Sequence, residues 1–176
     1  EILARLPATM ELALLSTAIA AGLGVLGGVI AATHRNSFID YLTSILTLFG
    51  SSMPAYWLGL MLIILFAVNL QMLPAAGNQG PASFILPSLT LAAFSIALIT
   101  RMTRSSMLEV LHQDYIRTAR AKGIRERSVL YRHALKNAFI PVLTVVGLQF
   151  GALLGGAVLT ESVFGWPGIG LLLLNS

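Results

Sequence analysis

The sequence predicts an all-α, polytopic membrane bundle, and three observations carry that prediction. Hydrophobic residues fill 56% of the 176 positions and charged residues 10%, whereas about a quarter of a soluble domain is charged. Leu12 to Thr33, Tyr41 to Thr100 and Asn137 to Thr160 carry no charge at all, and about 20 apolar residues suffice to cross a bilayer as a helix. These runs are continuously apolar, whereas barrel strands alternate in polarity and stop after about 10 residues.

The sixty-residue run from Tyr41 to Thr100 holds two spans, because Asn69 to Pro87 supplies three prolines, two glycines and two asparagines that break helical continuity. Four spans follow, near 9–33, 44–68, 86–107 and 138–160. Arg101 to Lys136 holds nine of the eleven Lys and Arg residues against Glu109, Asp114 and Glu126. The loop around His34, Arg35 and Asp40 shares its side by parity, so this side is cytoplasmic. Arg5, Glu11, the uncharged 69–86 loop and Glu161 then face outward. A start without methionine at Glu1 and an end within the apolar LLLLNS read as a piece of a longer membrane protein.

The first span contains GLGVLGG, a formal match to the dinucleotide fingerprint G-x-G-x-x-G. That motif needs a preceding strand and a following acid; inside a membrane helix, Gly24 and Gly28 instead form a small-residue face for close helix approach. In the last span Gly147, Gly151 and Gly155 repeat at four-residue spacing, a face open to two readings, static packing or a surface that glides during a transport cycle. Pro54, in GSSMPAYWLGL, removes a backbone hydrogen bond and predicts a kink, with Ser51 and Ser52 placed to satisfy released carbonyls. It is a candidate for lining or gating a pathway. Glu161 is a second, as the acid at the outward end of the last span; a loop-capping role is its alternative.

Absences narrow the chemistry. Without cysteine there are no disulfides or thiolate metal sites. His34, His112 and His133 lack metal-ligand spacing, and neither H-E-x-x-H nor G-x-S-x-G occurs. The sequence therefore predicts no catalytic residue, no metal site and no cofactor bound by this chain. Tyr115 and Tyr131 are the aromatic residues of the basic island, too sparse to make a base-stacking platform, which argues against nucleic acid.

Within the island, Leu108, Leu111, Tyr115 and Ala119 recur at helical spacing, predicting a helix that runs on from the third span. Gly123 follows Lys122 where a helix end takes a left-handed residue, and ERSVLYRHALKNAF begins a second helix. Ala119 and Ala121 clear bulk from this bend, and Arg117, Arg120, Lys122, Arg125 and Arg127 rim it with charge. Docking into a partner's cleft is one reading, and contact with anionic membrane lipids is the other.

Six motifs, in order, resemble the permease subunits of ATP-binding-cassette importers of the dipeptide, oligopeptide and nickel branch: RLPATMELAL, SSMPAYWLGL, ILPSLTLA, TRSSMLEVLHQDYIRTARAKGI, RHALKNAFIPV and TESVFGWPGIG. The resemblance implies a type I importer permease fold, with residues 1–176 one transmembrane domain and 108–137 its cytoplasmic coupling loop. It implies that Arg117, Thr118, Ala119, Arg120, Ala121, Lys122, Gly123 and Ile124 dock an ATPase. Gly123 matches the glycine of the family's E-A-A-x-x-x-G loop and Ala119 its second alanine. Arg117 and Thr118 replace the leading glutamate and first alanine, and Lys136 stands where the wider family often has proline. Two cytosolic ATPases holding ATP and magnesium, a second permease chain and an external substrate-binding protein are the implied partners, with peptide the expected substrate and nickel the alternative.

Overall fold

The computed structural model describes residues 2–78 and 80–174, and these are helical with connecting turns. Gln79, within the predicted turn segment, and Asn175 and Ser176, at the apolar end, lie outside the described residues. Helix α1 runs Ile2–Thr33, longer at its start than predicted. α2 spans Phe38–Ser52 and α3 Ala55–Leu62, the latter continuing as a π turn over Ile63–Asn69. A 3₁₀ turn at Pro81–Phe84 opens α4, Ile85–Leu111. The short α5 is Asp114–Ala121. α6, Glu126–Ser128, a π turn at Val129–Ala134 and α7, Leu135–Gly156, form one rod. α8, Val158–Val163, and α9, Ile169–Leu174, close the described chain.

Three of these helices are long and apolar enough to cross a membrane, α1, α4 with its 3₁₀ turn, and the α6–α7 rod. The expected span at 44–68 is a broken one: α2 and α3 meet at 104°. Met53 adopts the extended conformation that a residue before proline prefers (φ −82°, ψ 130°), and Pro54 follows with φ −60°, ψ 134°. Two extended residues in succession turn the predicted kink into a corner. Ser51 Oγ donates 3.1 Å to the Leu48 carbonyl and so satisfies one acceptor at the exposed end of α2.

The α1–α4 pair is the trunk. A Cβ on Gly24 would sit 2.7 Å from Ile99 Cγ2, and one on Gly28 2.5 Å from Thr103 Cβ and 2.7 Å from the Thr100 carbonyl. The glycine face of α1 thus meets α4 backbone to side chain, as small-residue faces permit in lipid, where dispersion and close approach replace the hydrophobic effect. α2 buries the polar Asp40 and Thr47 and turns Leu42, Ile45, Leu46 and Phe49 outward, the arrangement a helix takes when hydrocarbon surrounds it. α7 buries Ala138 and Val142 against the trunk, and Gln149 Nε2 donates 3.0 Å to Ser95 Oγ on α4.

Gly147, Gly151 and Gly155 pack on no neighbouring element: a Cβ on any of them meets nothing within 4 Å, and all three are exposed. Among the described residues nothing covers their face, which lies open on the surface of α7.

Candidate coupling site

The basic segment folds as an elbow between α4 and the α6–α7 rod. α4 ends at Leu111, where His112 and Gln113 turn the chain, and α5 restarts from Gln113 in an extended conformation (φ −72°, ψ 148°). This restart rotates the helix relative to α4. The apolar stripe expected through Leu108, Leu111, Tyr115 and Ala119 is therefore not continuous, and the inward pair on α5 is Ile116 and Ala119, 0% and 8% exposed. They pack with Val29 and Ala32 of α1, Met107 of α4, and Val129, Ala134 and Ala138 of the rod. Tyr115 instead lies at the side, its hydroxyl accepting 2.8 Å from Asn137 Nδ2.

The bend is a Schellman closure. The Gly123 N–H donates 2.9 Å to the Arg120 carbonyl and the Ile124 N–H 3.3 Å to that of Ala119, so two orphan carbonyls of α5 are satisfied. Gly123 sits at φ +75°, a conformation that costs a residue with a Cβ roughly 1–2 kcal/mol. Ile124, next in line, packs on the same buried cluster as Ala119. Arg120 spans the turn to Glu126 with Nη2–Oε1 at 2.7 Å and Nε–Oε2 at 3.1 Å. That hydrogen-bonded guanidinium holds the Glu126 carboxyl below its ordinary value against a small opposing effect of burial, and Glu126 in turn raises Arg120.

Of the predicted docking residues, Arg117, Thr118, Arg120, Ala121, Lys122 and Gly123 are exposed. Asp114, Arg117, Thr118 and Ala121 line a shallow groove along the outer side of α5. Ala119 and Ile124 turn the other way, Ala119 fully into the bundle and Ile124 partly. The elbow therefore has a buried apolar side that seats it and a polar side that faces out. Sequence patterning missed Ile116 and Glu126. The i, i+3 spacing of Ile116 and Ala119 was the available signal for the first, and opposite charge three residues past Gly123 for the second.

A second network pins the elbow's base. Arg104 on α4 donates Nε to Asp40 Oδ1 at 2.6 Å and Nη2 to Oδ2 at 2.8 Å. The buried Asp40 carboxylate also accepts 3.0 Å from the Asn36 N–H. The parity that set residues 34–40 and 101–136 on one side had brought these charges to the same end; their pairing lay beyond it.

At the opposite end, Glu161 is 0% exposed. Its carboxylate accepts from the Thr9 hydroxyl at 2.8 Å and the Leu171 N–H at 3.1 Å. Gly168 and Gly170 lie against it where a side chain would collide. In this conformation Glu161 ties a loop, one of the two roles open to it in the sequence. Pro54 is exposed at the corner between α2 and α3, where Phe49, Ser52, Met53 and Trp57 form a shallow groove with it.

Membrane-length helices that carry a polar elbow at one end define a multi-pass membrane protein. The chain belongs to the family of binding-protein-dependent transport system inner membrane components, whose profile matches residues 24–176. It is 46% identical to the di/tripeptide transport system permease protein DppB of Pseudomonas aeruginosa, over all of this chain and 61% of that protein. It is 47% identical to the glutathione transport system permease protein GsiC of Escherichia coli K12, over all of this chain and 58% of that one. The chain thus spans about three fifths of the length of these relatives. A crystal structure of an amino acid ABC transporter with histidines superposes with a TM-score of 0.68 at 21% identity, covering 97% of this chain and 75% of that one, which shows the shared fold.

Proposed function

We propose that this chain is the core of a permease subunit of an ATP-driven importer of di- or oligopeptides. The observation that carries the reading is the seated elbow. Ile116 and Ala119 fix α5 to α1, α4 and the rod at once, so a force applied to its outer side reaches the helices together. Gln149 and Ser95 link α4 to α7 farther along. Residues 108–137 then act as the cytoplasmic coupling loop. Two cytosolic ATPases that bind ATP with magnesium close on nucleotide and push the outer side of α5; α4 and α7 rock, and the pathway opens outward to an external substrate-binding protein. A second permease chain completes the pathway, and membrane lipids surround it.

The names of the relatives, di/tripeptide and glutathione permeases, favour peptide over nickel. Gly123→Asp tests the coupling role: the full-length permease should insert normally yet lose ATP-driven uptake, because a Cβ at φ +75° strains the bend. Undiminished uptake would remove the coupling claim. Titrating the external binding protein with peptides and with Ni²⁺ tests the substrate.

A further inference from the structure

The outer side of the elbow also specifies the chemistry of what it docks into, an inference that rests on the coupling reading above. Arg117 leaves 78% of its side chain exposed and has for company a 3.4 Å contact to Asp114, itself 95% exposed. Such a pair within one turn is worth little and leaves the guanidinium available to a better partner. Lys122, Arg125 and Arg127 are exposed around the same bend. Arg120 differs, since its fork is already filled by the Glu126 carboxylate.

Apart from the small Ala121, the apolar residues of α5 are meanwhile used up. Ile116 and Ala119 are buried in the bundle, and Tyr115 is half-exposed with its hydroxyl bonded to Asn137. A helix that lies on a membrane needs a free apolar face to enter the headgroup boundary; α5 has spent its own on the trunk. Its outer groove, lined by Asp114, Arg117, Thr118 and Ala121, offers small and polar surface, and the exposed cations around the bend, Arg117, Lys122, Arg125 and Arg127, outnumber the acid Asp114. A protein cleft carrying carboxylates complements that surface.

We infer that the groove of the ATPase subunit that receives this elbow is acidic, with a carboxylate meeting the planar fork of Arg117 and a second acid near Lys122. Arg117 is then the anchor, because a guanidinium pairs bidentately with a carboxylate and an ammonium does not. Docking is electrostatic rather than apolar, and screened by salt.

The test uses the full-length permease in phosphatidylcholine nanodiscs, with peptide-importer ATPase subunits purified from the same operon. Affinity should fall at least about tenfold between low and high salt, and Arg117→Glu should cost about another tenfold at low salt while flattening the salt dependence. An acid-to-arginine change in the ATPase groove should restore binding to Arg117→Glu. Because Arg117 is so exposed, the variant should keep the thermal stability of the parent, which separates lost docking from lost folding. If replacing residues 114–124 by a Gly/Ser linker leaves ATPase binding intact, the coupling reading itself fails. If binding needs 114–124 yet ignores both salt and Arg117→Glu, the acidic groove alone is overturned. Loss of binding to phosphatidylglycerol vesicles by Arg117→Glu, with ATPase affinity unchanged, would assign the face to the membrane and overturn it as well.

Discussion

The Thr9 hydroxyl donates 2.8 Å to Glu161 Oε1 and accepts 2.9 Å from the Ile169 N–H, so a threonine in α1 and a glutamate in α8 jointly hold the turn between α8 and α9. Glu161 Oε2 takes the Leu171 N–H at 3.1 Å. Trp166, fully buried in that turn, donates Nε1–H 3.0 Å to the Ala8 carbonyl and packs edge-on against Phe84 at 4.5 Å between ring centroids. Three segments distant in sequence, at the start of α1, the start of α4 and the α8–α9 turn, are fastened at one point.

Removing that carboxylate leaves the Thr9 hydroxyl and the Leu171 N–H without their acceptor. Each unsatisfied buried group costs about 1–3 kcal/mol. Glu161→Ala should therefore lower stability by at least about 2 kcal/mol, read as a drop in thermal unfolding temperature of the detergent-solubilised permease. Glu161→Gln should do less harm, since it keeps one acceptor. Gly168→Ala should resemble Glu161→Ala, because its Cβ would occupy the carboxylate's place.

Two glycine faces that look alike in sequence should respond differently. Gly28→Ala forces a Cβ to 2.5 Å from Thr103 Cβ, and overpacking of this kind costs about 1–3 kcal/mol. Gly147→Ala meets nothing within 4 Å among the described residues and should not lower the stability of the isolated protein, since alanine suits a helix interior better than glycine. Thermal unfolding of both variants checks the contrast.

Asp40 and Arg104 form a bidentate pair with the carboxylate side chain 5% exposed. Arg104→Leu strands that buried charge and should cost about 3–5 kcal/mol, whereas the double change Asp40→Asn with Arg104→Leu should recover much of it. A double-mutant cycle on unfolding measures the coupling.

The Arg120–Glu126 strap carries a pH signature. Glu126 is depressed in the folded chain by the Arg120 hydrogen bond, so whatever order the strap contributes is complete above the ordinary value of 4.5 and is lost as pH falls below it through the folded value. Both side chains are exposed, and the contribution is small. Exchange of the Gly123 and Ile124 amides, corrected for intrinsic rate, should stay flat from neutral pH down to about 5 and rise in stronger acid; Glu126→Gln should abolish the rise.

Much of the elbow was legible because helix ends are local. Gly123 after Lys122 announced a left-handed cap, and the two hydrogen bonds that close it run between residues three and five apart. The close approach of Gly24 and Gly28 was legible for a similar reason, since spacing alone sets a face. Which side of α5 turns inward was not, because the break at His112–Gln113 resets the helical phase, and period counting from Leu108 carried Tyr115 inward in place of Ile116. Pro54 announced a disruption, but its 104° size depends on Met53 joining it in an extended conformation.

The sequence by itself determined that this protein is a multi-span helical membrane protein, which end of it is basic, and where a small-residue bend interrupts that basic end. These follow from hydropathy, charge and spacing, each read within a few turns of chain. Only the tertiary structure decided that Ala119 turns into the bundle, that Glu161 ties a loop, and that Gly147, Gly151 and Gly155 meet no neighbouring element among the described residues. Those outcomes depend on partners such as Thr9 and Glu161, 152 residues apart, and no local pattern encodes which distant backbone a side chain will meet.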